Sequence, residues 1–187
     1  MYCKRLIYIA SVLACIISSC VSKKEQELQE LRKVTVNLPT AQLMNIHPAN
    51  GLCKEKNSDL KFIVYVDTEK CSNCEIDKLG EWNSIYRKTN EITNVDFFFI
   101  ISANPENKER IIDKYYTNKF LHDVYIDSIG CFKRNNPFIK NELFHTFLID
   151  SNNHLLYVGN PNRNLKAENA LMEILKSQQQ QQLISSH

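Results

Sequence analysis

A short apolar run, followed closely by two cysteines and then by a helical pattern, constrains the fold of this chain more than any other feature. Residues 61–67 are rich in β-branched and aromatic side chains, and the run is too short for a helix. Such a run is typical of a strand that is buried on both faces of a sheet. Cys71 and Cys74 follow after a turn, and apolar residues from Ile76 to Tyr86 then recur at the spacing of one helix face.

Strand and helix patterns continue to alternate towards the C-terminus. Asn104 and Pro105 favour a helix start, because Asn caps helices and Pro suits their first position. Strands that alternate with helices require crossovers and hence a parallel portion of sheet, to which a hairpin adds an antiparallel edge. The pattern predicts an α/β fold of three layers, with a central mixed sheet flanked by helices. Its further elements are strands at residues 95–101, 122–127, 143–150 and 154–159 and helices from residue 104 and over residues 165–176.

The N-terminal segment has the pattern of an export signal. Lys4 and Arg5 precede an apolar run over residues 6–17, which is shorter than the roughly 20 residues that a membrane-spanning helix needs. The residues that end at Cys20 resemble the lipobox of bacterial lipoproteins, which implies cleavage before Cys20 and lipid attachment to it. A transmembrane anchor and a second lipobox-like match ending at Cys15 are the alternatives.

These patterns divide the chain into four parts. Residues 1–19 are a lipoprotein signal peptide, and residues 20–59 are a lipidated tether and irregular lead-in, with one short strand near Val34–Val36. Residues 60–176 form the folded domain, and residues 177–187 are a Gln-rich tail that we expect to be disordered.

Cys71 and Cys74 lie where the first core strand leads into a helix. A helix N-terminus presents unpaired N–H groups and a partial positive charge, which stabilise a thiolate. A thiolate attacks disulfides, and a second cysteine resolves the mixed disulfide. We therefore predict Cys71 as the nucleophile and Cys74 as the resolving cysteine. The same spacing also occurs in half a zinc site and in a structural disulfide, although no second Cys-x-x-Cys completes a four-cysteine zinc ribbon.

The net charge of the chain and the distribution of its basic residues limit the classes of molecule that we expect it to bind. The formal net charge is +2 and the basic residues are scattered, so no basic stripe indicates nucleic acid. We expect a monomer whose partners are protein disulfides or dithiols and an electron-donor protein, with the membrane reached through the lipid anchor. Dithiol chemistry needs no cofactor, and no metal site is assigned.

Residues 60–176 resemble the membrane-anchored, thioredoxin-like thiol–disulfide oxidoreductases of the bacterial envelope, within the thioredoxin and thiol-specific antioxidant superfamily. The resemblance rests on strand residues 62–67 leading to the cysteine pair, and on residues 146–150 and 158–161, which look like the closing hairpin of that family. It implies a thioredoxin-like fold with a redox dithiol at the two cysteines.

The chain departs from that family in two places. Lys70 precedes Cys71 where the family has bulky residues; it either lowers the thiol pKa by its charge or is a solvated loop residue. Phe144 and His145 stand where the family has a cis-proline, which packs against the dithiol and keeps metals from it. His145 either joins Cys71 and Cys74 as a metal ligand or is a strand histidine that is hydrogen-bonded at a surface.

Cys53 and Cys131 are the other thiols of the expected mature chain. They could pair with each other or act as further redox partners, and Cys131, which follows a turn, could equally be a spare thiol.

The predicted function is that of a membrane-anchored envelope thiol–disulfide oxidoreductase, with its domain outside the cytoplasm, which exchanges disulfides in exported proteins. The alternatives are a non-catalytic thioredoxin-fold binding lipoprotein with a structural disulfide and a Cys/His metal-binding lipoprotein.

Overall fold

The computed structural model describes residues 33–47, 57–67, 74–117, 120 and 122–185, and of Cys74, Glu75 and Ser185 it describes the backbone only. The chain divides into two units, Met1–Val34 and Thr35–His187, and all described strands and helices lie in the second. The predicted signal peptide and the lipidation site Cys20 lie outside the described residues. No helix among the described residues is both long and apolar enough to span a membrane.

Six strands form one mixed sheet, in the spatial order β1-β4-β3-β2-β5-β6. Strand β2 pairs in parallel with β3, and β3 pairs in parallel with β4. The pairs β1–β4, β2–β5 and β5–β6 are antiparallel. The strands are β1 (Met44–Ile46), β2 (Leu60–Asp67), β3 (Val95–Ser102), β4 (Val124–Asp127), β5 (Thr146–Ile149) and β6 (Leu155–Val158).

Five α-helices are described, and the predicted first helix is divided into two of them by a 3-10 turn at Leu79–Glu81. Further 3-10 turns lie at Thr40–Gln42, Pro137–Lys140 and Glu142–Phe144. The helices are α1 (Cys74–Asp77), α2 (Trp82–Ile92), α3 (Lys108–Thr117), α4 (Cys131–Asn135) and α5 (Leu165–Ser185).

One face of the sheet carries the larger core. Alternate residues of a strand point to the same face, so Phe62 of β2 lies on the same side as Phe97 of β3, with ring centroids 5.0 Å apart. Trp82 of α2 packs on Phe62 at 5.8 Å and is a core residue. Buried side chains of α2, α3 and α5 complete this cluster: Ile85, Ile111, Tyr115, Leu171 and Leu175.

Helix α4 and the 3-10 turn after it cover the opposite face. Tyr65 of β2 packs against Phe132 of α4, with ring centroids 5.5 Å apart, and Phe138 packs edge-on against Phe147 of β5 at 5.6 Å. Strand β2 is therefore buried on both faces, as its continuously apolar sequence predicts. The helices on one side, the sheet, and α4 on the other side confirm the predicted three-layer α/β class.

The folded unit begins before residue 60, within the predicted lead-in. The strand expected near Val34–Val36 is only an isolated bridge between Thr35 and His154, while β1 adds an edge strand that the sequence pattern did not indicate. Buried Asn136 fastens this segment, because its Nδ2 donates to Asn37 O (2.7 Å) and its Oδ1 accepts from Asn37 N (2.9 Å). These contacts join positions far apart in sequence, so local patterns could not reveal them.

Two helix boundaries differ from the prediction. Helix α3 begins at Lys108, after a turn in which Asn104 Oδ1 accepts from Asn107 N (3.0 Å), so Asn104 makes the capping bond that the sequence predicts although the helix starts later. Helix α5 continues beyond residue 176 to Ser185, so the disorder expected from residue 177 does not hold up to that point. Glutamine is a good helix former, and Gln179 Nε2 also donates to the Ile92 carbonyl at the end of α2.

Substitution of two leucines in α5 tests how this helix packs against the sheet. Leu171→Ala should lower the free energy of unfolding by about 2–5 kcal/mol, because Leu171 is fully buried and its removal leaves a cavity. Leu183→Ala, on the exposed end of the same helix, should change it by less than about 0.5 kcal/mol. Urea unfolding followed by circular dichroism measures both, and equal losses would contradict the packing of α5.

Candidate functional site

Three polar side chains stand side by side at the C-terminal ends of the parallel strands. Asp67, Ser102 and Asp127 are the last residues of β2, β3 and β4, and the register pairs Asp67 with Ser102 and Ser102 with Asp127. Neighbours in register point to the same face, so these residues form one polar row on the α4 side of the sheet. The chain runs from this row towards Cys71, and the row therefore lies at the sheet edge from which the predicted dithiol departs.

Asp67 is paired with a lysine of α4. Lys133 Nζ lies 2.8 Å from Asp67 Oδ2, with 4% of the aspartate side chain and 30% of the lysine side chain exposed. Asp67 and Cys71 are four positions apart in the sequence, so their Cα atoms are at most about 14 Å apart. Asp67 therefore places a buried ion pair at the end of the strand that leads, along the chain, to the predicted nucleophile.

Asp127 holds the N-terminus of α4. Its Oδ1 accepts from Cys131 N and its Oδ2 accepts from Phe132 N, each at 2.9 Å. The first N–H groups of a helix have no partner within the helix, and a negative charge there is favourable. Gly130 makes the sharp turn into α4 possible, because its φ of 66° lies in the left-handed region.

Cys131 is a free, buried thiol at the start of α4. Its Sγ donates to Asp127 Oδ1 at 3.3 Å. Burial, followed by the hydrogen bond and negative charge of Asp127, raises the pKa of the Cys131 thiol above its usual value. A protonated thiol is a weak nucleophile, so of the predicted roles the structure supports the spare thiol. Cys53 lies outside the described residues.

Tyr65 lies beneath the polar row on the same face of β2. Burial raises the pKa of Tyr65 to about 12, although Ser102 lowers it in part through a contact that falls short of a full hydrogen bond. The charges of Asp67, Lys133 and Asp127 also act on the Tyr65 phenol. Tyr65 therefore joins the polar row electrostatically and remains a neutral phenol at physiological pH.

Phe144 and His145 lie beside the end of β2. His145 follows a 3-10 turn and precedes β5, and its carbonyl accepts from Tyr65 N at 2.7 Å. Its Nε2 lies 2.9 Å from the Ile139 carbonyl, which can only accept, so Nε2 carries the proton. The imidazole also packs edge-on against the Tyr65 ring, with centroids 5.1 Å apart. Phe144 is buried, and no described peptide bond is cis.

The remaining predicted site residues are only partly described. Cys74 is the first residue of α1, so the helix starts where the prediction put it. Cys71 and Lys70 lie outside the described residues, and the roles assigned to them remain predictions. Within the described part of the chain, no group of three His, Cys, Asp or Glu side chains could hold a metal ion. That finding does not extend to a set formed by Cys71, Cys74 and His145.

The polar row was missed by sequence reasoning. Its signal in the sequence is that three apolar strands each end in a polar residue, at Asp67, Ser102 and Asp127. That signal has meaning only once the register of the strands is known, because the three residues are far apart along the chain.

No known protein family model matches the sequence, and no curated protein matches it. Among solved structures, an uncharacterized thioredoxin-like protein from Porphyromonas gingivalis is similar at 20% identity and a TM-score of 0.51, over 75% of this chain and 91% of that chain. A putative thiol:disulfide interchange protein DsbE from Chlorobium tepidum has 15% identity and a TM-score of 0.48, over 76% and 98%. StoA from Bacillus subtilis has 14% identity and a TM-score of 0.47, over 73% and 98%.

The likeness to the Porphyromonas protein, together with the mixed sheet and its flanking helices, establishes the class of fold. The chain has a thioredoxin-like fold. The fold predicted from the resemblance of residues 60–176 is thereby confirmed.

The environment of Cys131 predicts slow alkylation of its thiol. Between pH 7 and pH 9 a smaller fraction of the thiol should be ionised in the native protein than in the unfolded chain, because its pKa is raised, and the buried thiol should react with iodoacetamide at least about tenfold more slowly than after unfolding in urea. Mass spectrometry of peptides from pulse-labelled protein measures the rate. Rapid labelling of Cys131 in the native protein would contradict its burial against Asp127.

Proposed function

We propose that this protein is an envelope thiol–disulfide oxidoreductase, anchored to the membrane through a lipid on Cys20, with Cys71 and Cys74 as its redox pair. The observation that carries the proposal is the junction of β2 and α1 in a thioredoxin-like fold. β2 ends at Asp67 and α1 begins at Cys74, so Cys71 falls in the connection between them and Cys74 is the first residue of the helix. A cysteine at a helix start has the electrostatic support that a thiolate requires.

The proposed reaction is a two-step exchange. The Cys71 thiolate attacks one sulfur of a substrate disulfide, a new S–S bond forms, and the other substrate sulfur leaves as a thiolate. The Cys74 thiolate then attacks Cys71 Sγ and releases the second substrate thiolate. The protein dithiol has lost two electrons and two protons, and the substrate disulfide has gained them. A partner dithiol of the electron-donor class would run the same steps in reverse to restore the pair.

A non-catalytic binding role is the second candidate. It is favoured by His145, which stands where the resembling family has a proline and which is held by the Ile139 carbonyl and by Tyr65. In that case Cys71 and Cys74 form a disulfide that serves only to brace the junction of β2 and α1.

A redox titration of the full chain separates these two candidates. With a series of reduced and oxidised glutathione mixtures, the Cys71–Cys74 pair should pass reversibly between dithiol and disulfide, as measured by thiol trapping and mass spectrometry. Cys74→Ser should accumulate a mixed disulfide at Cys71, because the resolving step is removed.

Cys131→Ala is the matched control, since the buried Cys131 thiol should not affect the titration. A pair that stays locked under all but harsh reduction would favour the binding role. A pair that stays reduced because it retains zinc after purification would favour the metal-binding alternative.

We further propose that Asp67 and Lys133 tune the dithiol. The two charges lie 2.8 Å apart and partly cancel, so removal of either one leaves the other acting on the nearby thiols. A positive charge lowers a thiol pKa and a negative charge raises it. Two unit charges about 10–14 Å apart at an effective dielectric constant of about 20 interact by roughly 1–2 kcal/mol, which corresponds to about one pKa unit.

Asp67→Asn should therefore lower the pKa of the Cys71 thiol by up to about one unit, and Lys133→Met should raise it by a similar amount. The pH dependence of Cys71 alkylation measures both shifts, with circular dichroism to confirm that each variant is folded, since breaking a buried pair is destabilising. Shifts in the same direction would contradict the proposed electrostatic role, because a purely structural disturbance has no reason to depend on the sign of the charge removed.

A further inference from the structure

A basic cleft opens beside the polar row. It has a volume of about 560 Å³, and its floor includes Ser102 and Asp127 at the ends of β3 and β4. Lys133 and Arg134 of α4 and Lys140 of the following 3-10 turn line one side. We refer to the space bounded by these residues as the basic cleft. Its size is that of an ordinary ligand site.

The positive charges of the basic cleft are only partly neutralised. Among the described residues that line the cleft, Asp127 is the one with a carboxylate. Its two oxygens accept hydrogen bonds from the first N–H groups of α4. Lys133 is matched by Asp67. Arg134 donates to the Ile129 carbonyl, which carries no net charge, and no described carboxylate forms an ion pair with Arg134 or Lys140. Among the described residues, Arg134 and Lys140 are therefore the cations of the cleft whose charge no described carboxylate balances.

The rim of the cleft also offers an apolar contact. Ile129 lines the cleft and is 58% exposed, so its side chain is accessible to a bound molecule. An inorganic anion makes no apolar contact with Ile129. A peptide that carries carboxylates beside apolar side chains would contact both the cationic side chains and Ile129. An acidic polypeptide segment fits the basic cleft better than a free anion does.

We propose that the basic cleft binds an acidic segment of the substrate protein, located next to the disulfide that the dithiol attacks. This inference rests on the proposed function, and it names the class of substrate. The cleft lies at the C-terminal ends of the parallel strands, since its lining includes Ser102 and Asp127, and the register places Asp67, the residue of β2 four positions before Cys71, beside Ser102. A substrate held by Lys140 and Arg134 would present its disulfide to that edge, and long-range attraction would raise the rate of encounter.

The first test measures binding without redox chemistry. A fluorescently labelled peptide with several Asp and Glu residues around Ile and Val, and with no cysteine, should bind the full chain, and binding should weaken as salt rises from 0.05 to 0.5 M. Lys140→Glu should weaken binding at least about threefold, since an exposed charge pair contributes up to about fivefold and reversal adds repulsion.

Lys166→Glu is the matched control, because it makes the same change of charge on the exposed surface of α5 and outside the lining of the cleft. It should leave the affinity unchanged. Equal weakening by the two variants, or equal binding of a peptide in which every Asp and Glu is replaced by Lys, would overturn the proposal, because either result means that the cleft does not select acidic segments. Retained binding after the apolar residues are replaced by Gly would point to a site for free anions and would also overturn it.

The second test links the cleft to turnover. The wild-type chain should reduce a disulfide peptide with acidic flanks several-fold faster than one with basic flanks, and Lys140→Glu should remove most of this preference. Both chains should reduce the uncharged disulfide 2,2′-dithiodipyridine at the same rate. If neither chain reduces that compound, the proposed redox function fails and the binding test still decides the cleft. If both reduce it but the wild type shows no preference between peptides, the cleft proposal alone fails.

Discussion

The carboxylate of Asp127 is the contact on which the functional edge of the sheet depends. Only 1% of this residue is exposed, so water cannot satisfy its charge, and the N–H groups of Cys131 and Phe132 do so instead. These bonds fix the start of α4 against the end of β4. With α4 held there, Lys133 reaches Asp67 on β2, two strands away. The buried carboxylate of Asp127 thus positions charged residues that lie on three separate elements, β2, β4 and α4.

Burial of the polar row in the protein interior costs free energy, so the row needs an explanation other than stability. Buried ion pairs seldom add much net stability, because desolvation offsets the attraction, and a sheet could end in apolar residues at these positions. Burial also raises the pKa values of two groups next to the row, Tyr65 on the same face of β2 and Cys131, which donates to Asp127. The row lies beside the junction that carries the cysteine motif, so its electrostatics and the proposed dithiol chemistry concern the same small region.

Of the two departures from the family that the chain resembles, the one at Phe144 and His145 lies among the described residues at this edge. His145 replaces a proline with a side chain that donates to the Ile139 carbonyl and packs on Tyr65, so the loop before β5 is held by side-chain contacts. The basic cleft adds Arg134 and Lys140 next to that loop. His145 bonds to Ile139, the residue before Lys140, so the loop held by the histidine adjoins this cationic residue.

The sequence by itself determined the α/β class, the central strand β2, the hairpin of β5 and β6, and the position of Cys74 at a helix start. Each of these features follows from the local periodicity of apolar residues or from the residues that flank a single element. Local interactions are therefore enough to determine them. Only the tertiary structure decided that β1 joins the sheet, that α4 exists as a helix capped by Asp127, and that Asp67, Ser102 and Asp127 form a row. These features depend on the register between strands that are distant along the chain, and register is fixed by the packing of the whole core.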